Sequence, residues 1–157
     1  MATVTVTYPK VVYAGADSFY VDFIEANSTS LAALRLVTLN TGVPPKWVAC
    51  ASDPATILGT NIVAGVNLTT GLVATPIHVF VPGTIIEINS NATGTDPLIG
   101  TAYGLVVSTN DHQLDYTDTT NDVFIPIRQS PKDTALDTNI RMWVKIDPAV
   151  LLFNTGL

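Results

Sequence analysis

The sequence predicts an all-β fold: a compact β-barrel or sandwich of about ten short strands with an extended N-terminal arm. Three observations carry that expectation. Apolar and polar residues alternate over short runs, as they do on a strand with one buried face. Gly, Pro, Asn and Asp punctuate those runs at close intervals. No stretch keeps the 3.6-residue period of a long helix. A length of 157 residues suits one domain, or one domain plus an arm.

Thr3 to Thr7 alternates strictly, with Val4 and Val6 on one side and threonines on the other. Pro9 interrupts the run, which predicts an edge strand or an extended arm. Val11 to Tyr13 resumes it. Ser18 to Ile24 is a second strand, with Phe19, Val21 and Phe23 on one face and Tyr20, Asp22 and Ile24 on the other. Glu25 to Ser30 is a polar joint. It divides the chain into an N-terminal strand or arm, residues 1–30, and a barrel or sandwich core, residues 31–157. Leu31 begins with the pattern of a helical turn capped by Ser30. Leu34 to Leu39 continues as a strand. Asn40 to Lys46 is a loop by its Gly and Pro content, and Trp47 to Cys50 returns as hairpin partner. Ser52 to Leu58 predicts a short helical turn, with Asp53 as cap, Pro54 in the first position and Gly59 as stop. Asn61 to Asn67 is a short strand whose Gly65 hints at a bulge. Leu68 to Leu72 turns the chain.

The clearest local signal is Ile77 to Ile88, where two apolar runs flank Pro82-Gly83. A hairpin there sets Val81 opposite Thr84, Val79 opposite Ile86 and Ile77 opposite Ile88. All six fall on one face, which must be covered. Phe80 opposite Ile85 and His78 opposite Glu87 fall on the other. Pro-Gly favours a type II turn, whose twist suits a two-residue hairpin poorly, so a wider loop is the alternative. Asn89 to Pro97 is a long polar loop. Ile99 to Val107 is a strand, Ser108 to Asp111 a turn, and His112 to Tyr116 the return strand. Val123 to Arg128 and Ile140 to Ile146 are the last strands. In the final one Ile140, Met142, Val144 and Ile146 alternate with Arg141, Trp143 and Lys145, which predicts an apolar inner face and a cationic outer one. Val150 to Phe153 is an apolar tail expected to dock.

The apolar fraction is 47% and the charged fraction 13%, the latter about half the usual share. Thr, Asn and Ser must therefore supply most of the polar surface, and neutral surface is left for burial against other protein. The net charge is −6. Lys10, Arg35, Lys46, Arg128, Lys132, Arg141 and Lys145 are scattered along the chain, which argues against nucleic acid and anionic membrane as partners. Residues 1–7 lack the basic start and apolar run of a signal peptide, and no segment approaches the ~20 apolar residues of a membrane span. The expectation is a soluble chain made in a cytoplasm.

Catalytic and ligand chemistry finds little purchase. Asp111, Asp115, Asp118 and Asp122 crowd one stretch, but their spacing matches no calcium loop, and solvated loop charges are expected. Cys50 stands alone and is expected to be a small buried thiol. A cross-strand pair with Glu87 accounts for His78, and His112 has no imidazole nearby. Two histidines and no Gly-x-Ser-x-Gly leave no nucleophile set, and no glycine loop for phosphate exists. Trp47, Tyr103, Tyr116 and Trp143 are sugar-stacking candidates, with packing in or beside the core as the alternative. The sequence thus predicts no enzyme, no cofactor and no metal.

Four stretches taken together resemble the head-decoration, or cement, proteins of tailed bacteriophages. They are Lys46-Trp-Val-Ala-Cys-Ala-Ser-Asp53, Gly100-Thr-Ala-Tyr-Gly-Leu-Val-Val107, Val123-Phe-Ile-Pro-Ile127 and Asp137-Thr-Asn-Ile-Arg-Met-Trp-Val-Lys-Ile146. The resemblance spans roughly Leu31 to Asp147 and lies in the order and character of the strands. It implies an all-β protein on the outer surface of the mature capsid, gathered as a homotrimer and bound to the major capsid protein. It also implies a terminal arm that grips neighbouring subunits. Thr3, Val4, Thr5, Val6, Thr7, Tyr8, Val11 and Tyr13 are the arm residues so assigned, and the alternative is that this stretch completes the chain's own sheet. A phage tail or fibre component touching host polysaccharide is the second reading, and a carbohydrate-processing enzyme the third.

Overall fold

Strands in this chain are short because turn residues break each apolar run early. The computed structural model describes residues 2–5, 9–15, 17–24, 33–64, 74–91, 99–108, 111–134 and 137–153. In chain order these hold β1 (Lys10–Tyr13), β2 (Phe19–Ile24), β3 (Leu36–Leu39), β4 (Trp47–Ala49), β5 (Gly59–Asn61), β6 (Ala74–Val79), β7 (Ile85–Asn89), β8 (Gly104–Ser108), β9 (Asp111–Asp115), β10 (Phe124–Gln129) and β11 (Arg141–Ile146). One 3-10 turn, Pro148–Val150, follows β11. Sheet I has the order β1-β7-β11-β10, and sheet II the order β2-β6-β5-β3-β4. Strands β8 and β9 form a separate two-stranded ribbon. All strand pairs are antiparallel. The architecture is an open sandwich, and of the two expected forms the closed barrel is absent among the described residues. No helix among them is long and apolar enough to cross a membrane.

The main correction concerns residues 77–88. Pro82-Gly83 does make a tight turn: the Thr84 N–H donates to the Val81 carbonyl at 3.1 Å, and Gly83 has φ +92. A positive φ at the third residue is what a type II turn requires, and its twist splays the flanking strands instead of pairing them. So β6 and β7 diverge into different sheets. Val79 faces Phe19 and Gly59, not Ile86, and Ile88 faces Met142, not Ile77.

The true partners of this stretch come from the N-terminal region. Lys10 lies opposite Glu87 and Tyr13 opposite Ile85, while Phe19 lies opposite Val79 and Ile24 opposite Ala74. Paired in this way, β1 with β7 and β2 with β6 form the two halves of a bent antiparallel ribbon that lie in different sheets, the device by which sandwiches make corners. At the bend Thr84 Oγ1 donates to the Ala14 carbonyl at 3.0 Å. Gly15, at φ +78, sits so close that a Cβ there would lie 3.0 Å from Val81 Cγ2. Each large sheet therefore takes an edge strand from residues 1–30.

The bend also divides the core. Leu36, Ile57, Phe80, Ile86, Ile88, Leu105, Leu114, Phe124, Met142, Val144 and Ile146 belong to the larger apolar cluster, drawn from both sheets. Val37, Trp47, Leu58, Ile77 and Val79 form a smaller one. Leu36 and Val37 are neighbours on one strand and so point to opposite faces of sheet II. The C-terminal tail covers that second face. Its Leu152 and Phe153 pack on the smaller cluster, Phe153 meets the Phe19 ring edge-on at 5.9 Å, and the Leu152 N–H donates to Ile57 at 2.9 Å. The apolar tail docks, as its composition predicts.

The β3–β4 hairpin and the β8–β9 return also form as expected. The helical turn expected at Ser52 to Leu58 does not. Asp53 has φ +48, its N–H donates to the Leu105 carbonyl at 2.9 Å, and its carboxylate accepts the Leu105 N–H at 3.0 Å. Ser52 Oγ likewise accepts the Val107 N–H at 2.9 Å. Side-chain acceptors here satisfy the outer edge of β8, which outweighs one marginal turn of helix. The expected helical start at Ser30 and Leu31, the polar joint at residues 25–30, the strand beyond Asn61 from residue 65 on, the turn at 68–72 and most of the loop at 89–97 lie outside the described residues.

Candidate functional site

The N-terminal residues expected to grip a partner lie against the chain itself where they are described. Thr3 forms a parallel bridge with Thr138, the Val4 N–H donates to the Thr138 carbonyl at 2.9 Å, and Ala2 N donates to Asp137 Oδ1 at 2.9 Å. Asn89 Nδ2 reaches the Thr5 carbonyl at 3.4 Å. Val11 packs against the larger cluster, while Tyr13 stays 55% exposed. Val6, Thr7 and Tyr8 lie outside the described residues. Within this one chain, β1 completes sheet I.

Beside β1 the outer face of sheet I carries a row of side chains that crosses all four strands. Lys10 on β1 faces Glu87 on β7, Glu87 faces Trp143 on β11, and Trp143 faces Arg128 on β10. Glu87 is 7% exposed, so its charge needs donors. Three converge: Ser130 Oγ at 2.8 Å and Trp143 Nε1 at 3.0 Å on Oε2, and Lys132 Nζ at 3.1 Å on Oε1. Burial raises the Glu87 pKa, but the bonds from Trp143, Ser130 and Lys132 outweigh it, and the net shift is downward. The Arg128 guanidinium lies 4.8 Å from the Trp143 ring centre. In the next rows Lys145 faces Ile85, and Arg141 faces Asn89. Arg141 is held by Asp133, which accepts from its Nε and backbone N–H. A groove of roughly 230 Å³ opens between Lys10, Val11, Val12, Glu87, Pro131, Lys132 and Trp143.

Of the 7 Lys and Arg residues, Lys10, Arg128, Lys132, Arg141 and Lys145 thus belong to one face. They are scattered in sequence and gathered by register. The alternation of Arg141, Trp143 and Lys145 gave part of this face. Lys10 and Lys132 carried no sequence signal, because one arrives by long-range pairing and the other on a loop. The expected His78–Glu87 pair is absent, since β6 and β7 lie in different sheets. His78 instead stacks on Tyr20 at 4.5 Å and shares a hydrogen bond with Ser18 Oγ at 3.2 Å.

The other candidates settle into structural roles. Asp111 pairs with Arg35 at 3.2 Å. Asp115 accepts from Thr117 and Asn91, and Asp118 from Thr120 and Asn121. The bonds from Asn121 and Thr120 hold the Asp118 carboxyl well below the usual range. No group of three or more His, Cys, Asp or Glu among the described residues is placed to hold a metal ion. Cys50 is buried, which pushes its thiol pKa up. Of the sugar-stacking candidates, Trp47 and Tyr103 are buried in the core, Tyr116 packs against the larger cluster, and Trp143 is engaged by Glu87 and Arg128.

His112 makes a testable statement about pH. It is 1% exposed, and its Nδ1 accepts the Leu36 N–H at 2.9 Å, a bond that only the neutral ring can make. Burial, then the nearby Arg35 charge, push its pKa down to about 4 from 6.5. Between those values the unfolded chain binds a proton that the folded chain does not. Stability therefore falls as pH drops through that window, by about 3 kcal/mol in full. His78, lowered by burial, adds in the same direction. Urea unfolding at pH 7 and pH 4.5 measures the slope. His112→Gln keeps an acceptor for Leu36 and is expected to remove most of it. An unchanged slope would remove His112 as the source.

No family model matches this chain, and no curated protein or solved structure matches it.

Proposed function

We propose that this chain is a structural virion protein that binds the outer surface of a mature phage capsid and stabilises it without catalysis. One observation supports this most directly. Strands β1 and β2 each supply one edge of a large sheet, and on them Val12, Tyr13, Tyr20 and Val21 are 38%, 55%, 66% and 36% exposed. An edge strand offers unpaired backbone donors and acceptors, and exposed apolar side chains beside them favour a protein partner. The proposed partners are the major capsid protein and two further copies of this chain in a homotrimer. The arm from Thr3 to Tyr13 is the proposed gripping segment. Thr3 to Thr5 are held to the chain through Thr138 and Asn89, so gripping a neighbour would exchange those bonds for bonds to the partner. A protein that binds only the mature lattice stabilises it by its binding free energy.

The test is stoichiometry. Particles of the phage that encodes the chain are banded on a density gradient, and the chain is quantified against major capsid protein by mass spectrometry. Copies in a fixed ratio to capsid protein are expected. A few copies per particle would place the chain in the tail, and absence from particles would end the structural reading. The double variant Tyr13→Ser, Tyr20→Ser gives up the Tyr20–His78 ring contact but is expected to remain folded and to lose capsid retention by roughly tenfold, equivalent to ~1.4 kcal/mol. Full retention would exclude these edges as the contact.

A further inference from the structure

We infer that the outer face of sheet I is a docking surface for an extended, carboxylate-rich segment of a protein partner. The chain as a whole is acidic, at −6, yet this face is cationic. The two carboxylates on it are already used. Glu87 is enclosed by Ser130, Trp143 and Lys132, and Asp133 is bound to Arg141. Lys10, Arg128 and Lys145 remain with no ion pair among the described residues, and all three are exposed. Adjacent strands lie about 4.8 Å apart, so the row from Lys10 to Arg128 spans roughly 14 Å. Lys145, two residues along from Trp143, lies roughly 7 Å off that row. Three cations without a carboxylate partner among the described residues, at those separations, match the carboxylates of a short extended peptide.

The groove selects the kind of anion. Val11, Val12, Pro131 and the Trp143 indole line it beside Lys10 and Lys132. A bulge between Val11 and Tyr13 breaks the register of β1 at Val12, which is 38% exposed. Apolar side chains on the incoming segment can fill this groove. Nucleic acid backbones and sulfated polysaccharides have none to offer, and a long polyanion would be repelled by the acidic remainder of the surface. Lys10 on an edge strand discourages neutral strands from pairing there and favours an acidic one. This inference rests on the proposed binding to protein, and not on that protein being a capsid subunit.

The probe is a fluorescein-labelled octapeptide of alternating Glu and Val, titrated with the whole chain at low and at physiological salt. Binding that weakens with salt is expected, with perturbation of the Trp143 indole N–H and the Lys10–Tyr13 amides in NMR spectra. The variant Lys10→Gln, Lys145→Gln is expected to weaken binding at least roughly tenfold with an unchanged thermal midpoint. A Lys-Val octapeptide, a heparin fragment and a single-stranded oligonucleotide are the controls. Equal binding of the Lys-Val peptide, preference for either polyanion, or indifference to the double variant would overturn the inference. Stoichiometric copies on particles together with no acidic-peptide binding would overturn it alone and leave the capsid reading standing.

Discussion

Gly59→Ala is expected to abolish the native fold. Gly59 lies on β5, paired with Val79 of β6. A Cβ built on it would collide with the His78 carbonyl oxygen and fall 3.1 Å from the Val79 Cα. Both are backbone atoms, so no rotamer change relieves the clash. Nor can β6 move away, because β2 is bonded to its other edge. The loss should exceed about 4 kcal/mol, in the range where a small domain no longer folds. The measurement is soluble yield and the urea transition of Gly59→Ala beside the parent chain. A variant within ~1 kcal/mol of the parent would show that β5 and β6 do not approach as described.

Phe80→Ala is expected to cost about 3–5 kcal/mol. Phe80 follows β6 at the bend and is 0% exposed. Ile77 and Val79, on the alternate face of this stretch, serve the smaller cluster, whereas Phe80 enters the larger one. Its N–H donates to the Leu58 carbonyl at 2.9 Å, which fixes the backbone and limits collapse around the vacated space. The ring also meets His78 edge-on at 5.7 Å. Equilibrium urea unfolding at neutral pH measures the loss, and Phe80→Leu should recover about half of it. A loss below ~1 kcal/mol for the alanine variant would mean that the corner does not depend on this ring.

Local pattern was enough for some elements and not for others, and the difference is physical. The alternation of Met142, Val144 and Ile146 with Arg141, Trp143 and Lys145 revealed β11 and its two faces, because a strand's facing depends on its own residues. The hairpin of β3 and β4 was legible for a similar reason: the loop is short and its Gly and Pro residues mark it. Residues 77–88 misled because pairing there is decided by the twist of one turn and by partners far away in sequence. Asp53 misled because its signal as a helix cap is also the signal of a side chain able to bind any nearby N–H, and β8 supplied one. The cationic face was half legible. Arg141, Trp143 and Lys145 announced it, while Lys10 joins only through its register with Glu87.

The bent ribbon has a consequence for synthesis. Lys10 meets Glu87 and Ile24 meets Ala74, so neither half of the ribbon can be built from neighbours in sequence. Residues 10–24 leave the ribosome well before the residues they pair with. Closing so large a loop carries an entropic cost that must be met before the pairing repays it, which slows folding. Val11 and Phe19, which pack against the core only once these strands pair, therefore wait uncovered while the middle of the chain is translated. Translation rate and chaperone access, more than final stability, are expected to govern how much of this protein reaches its native form.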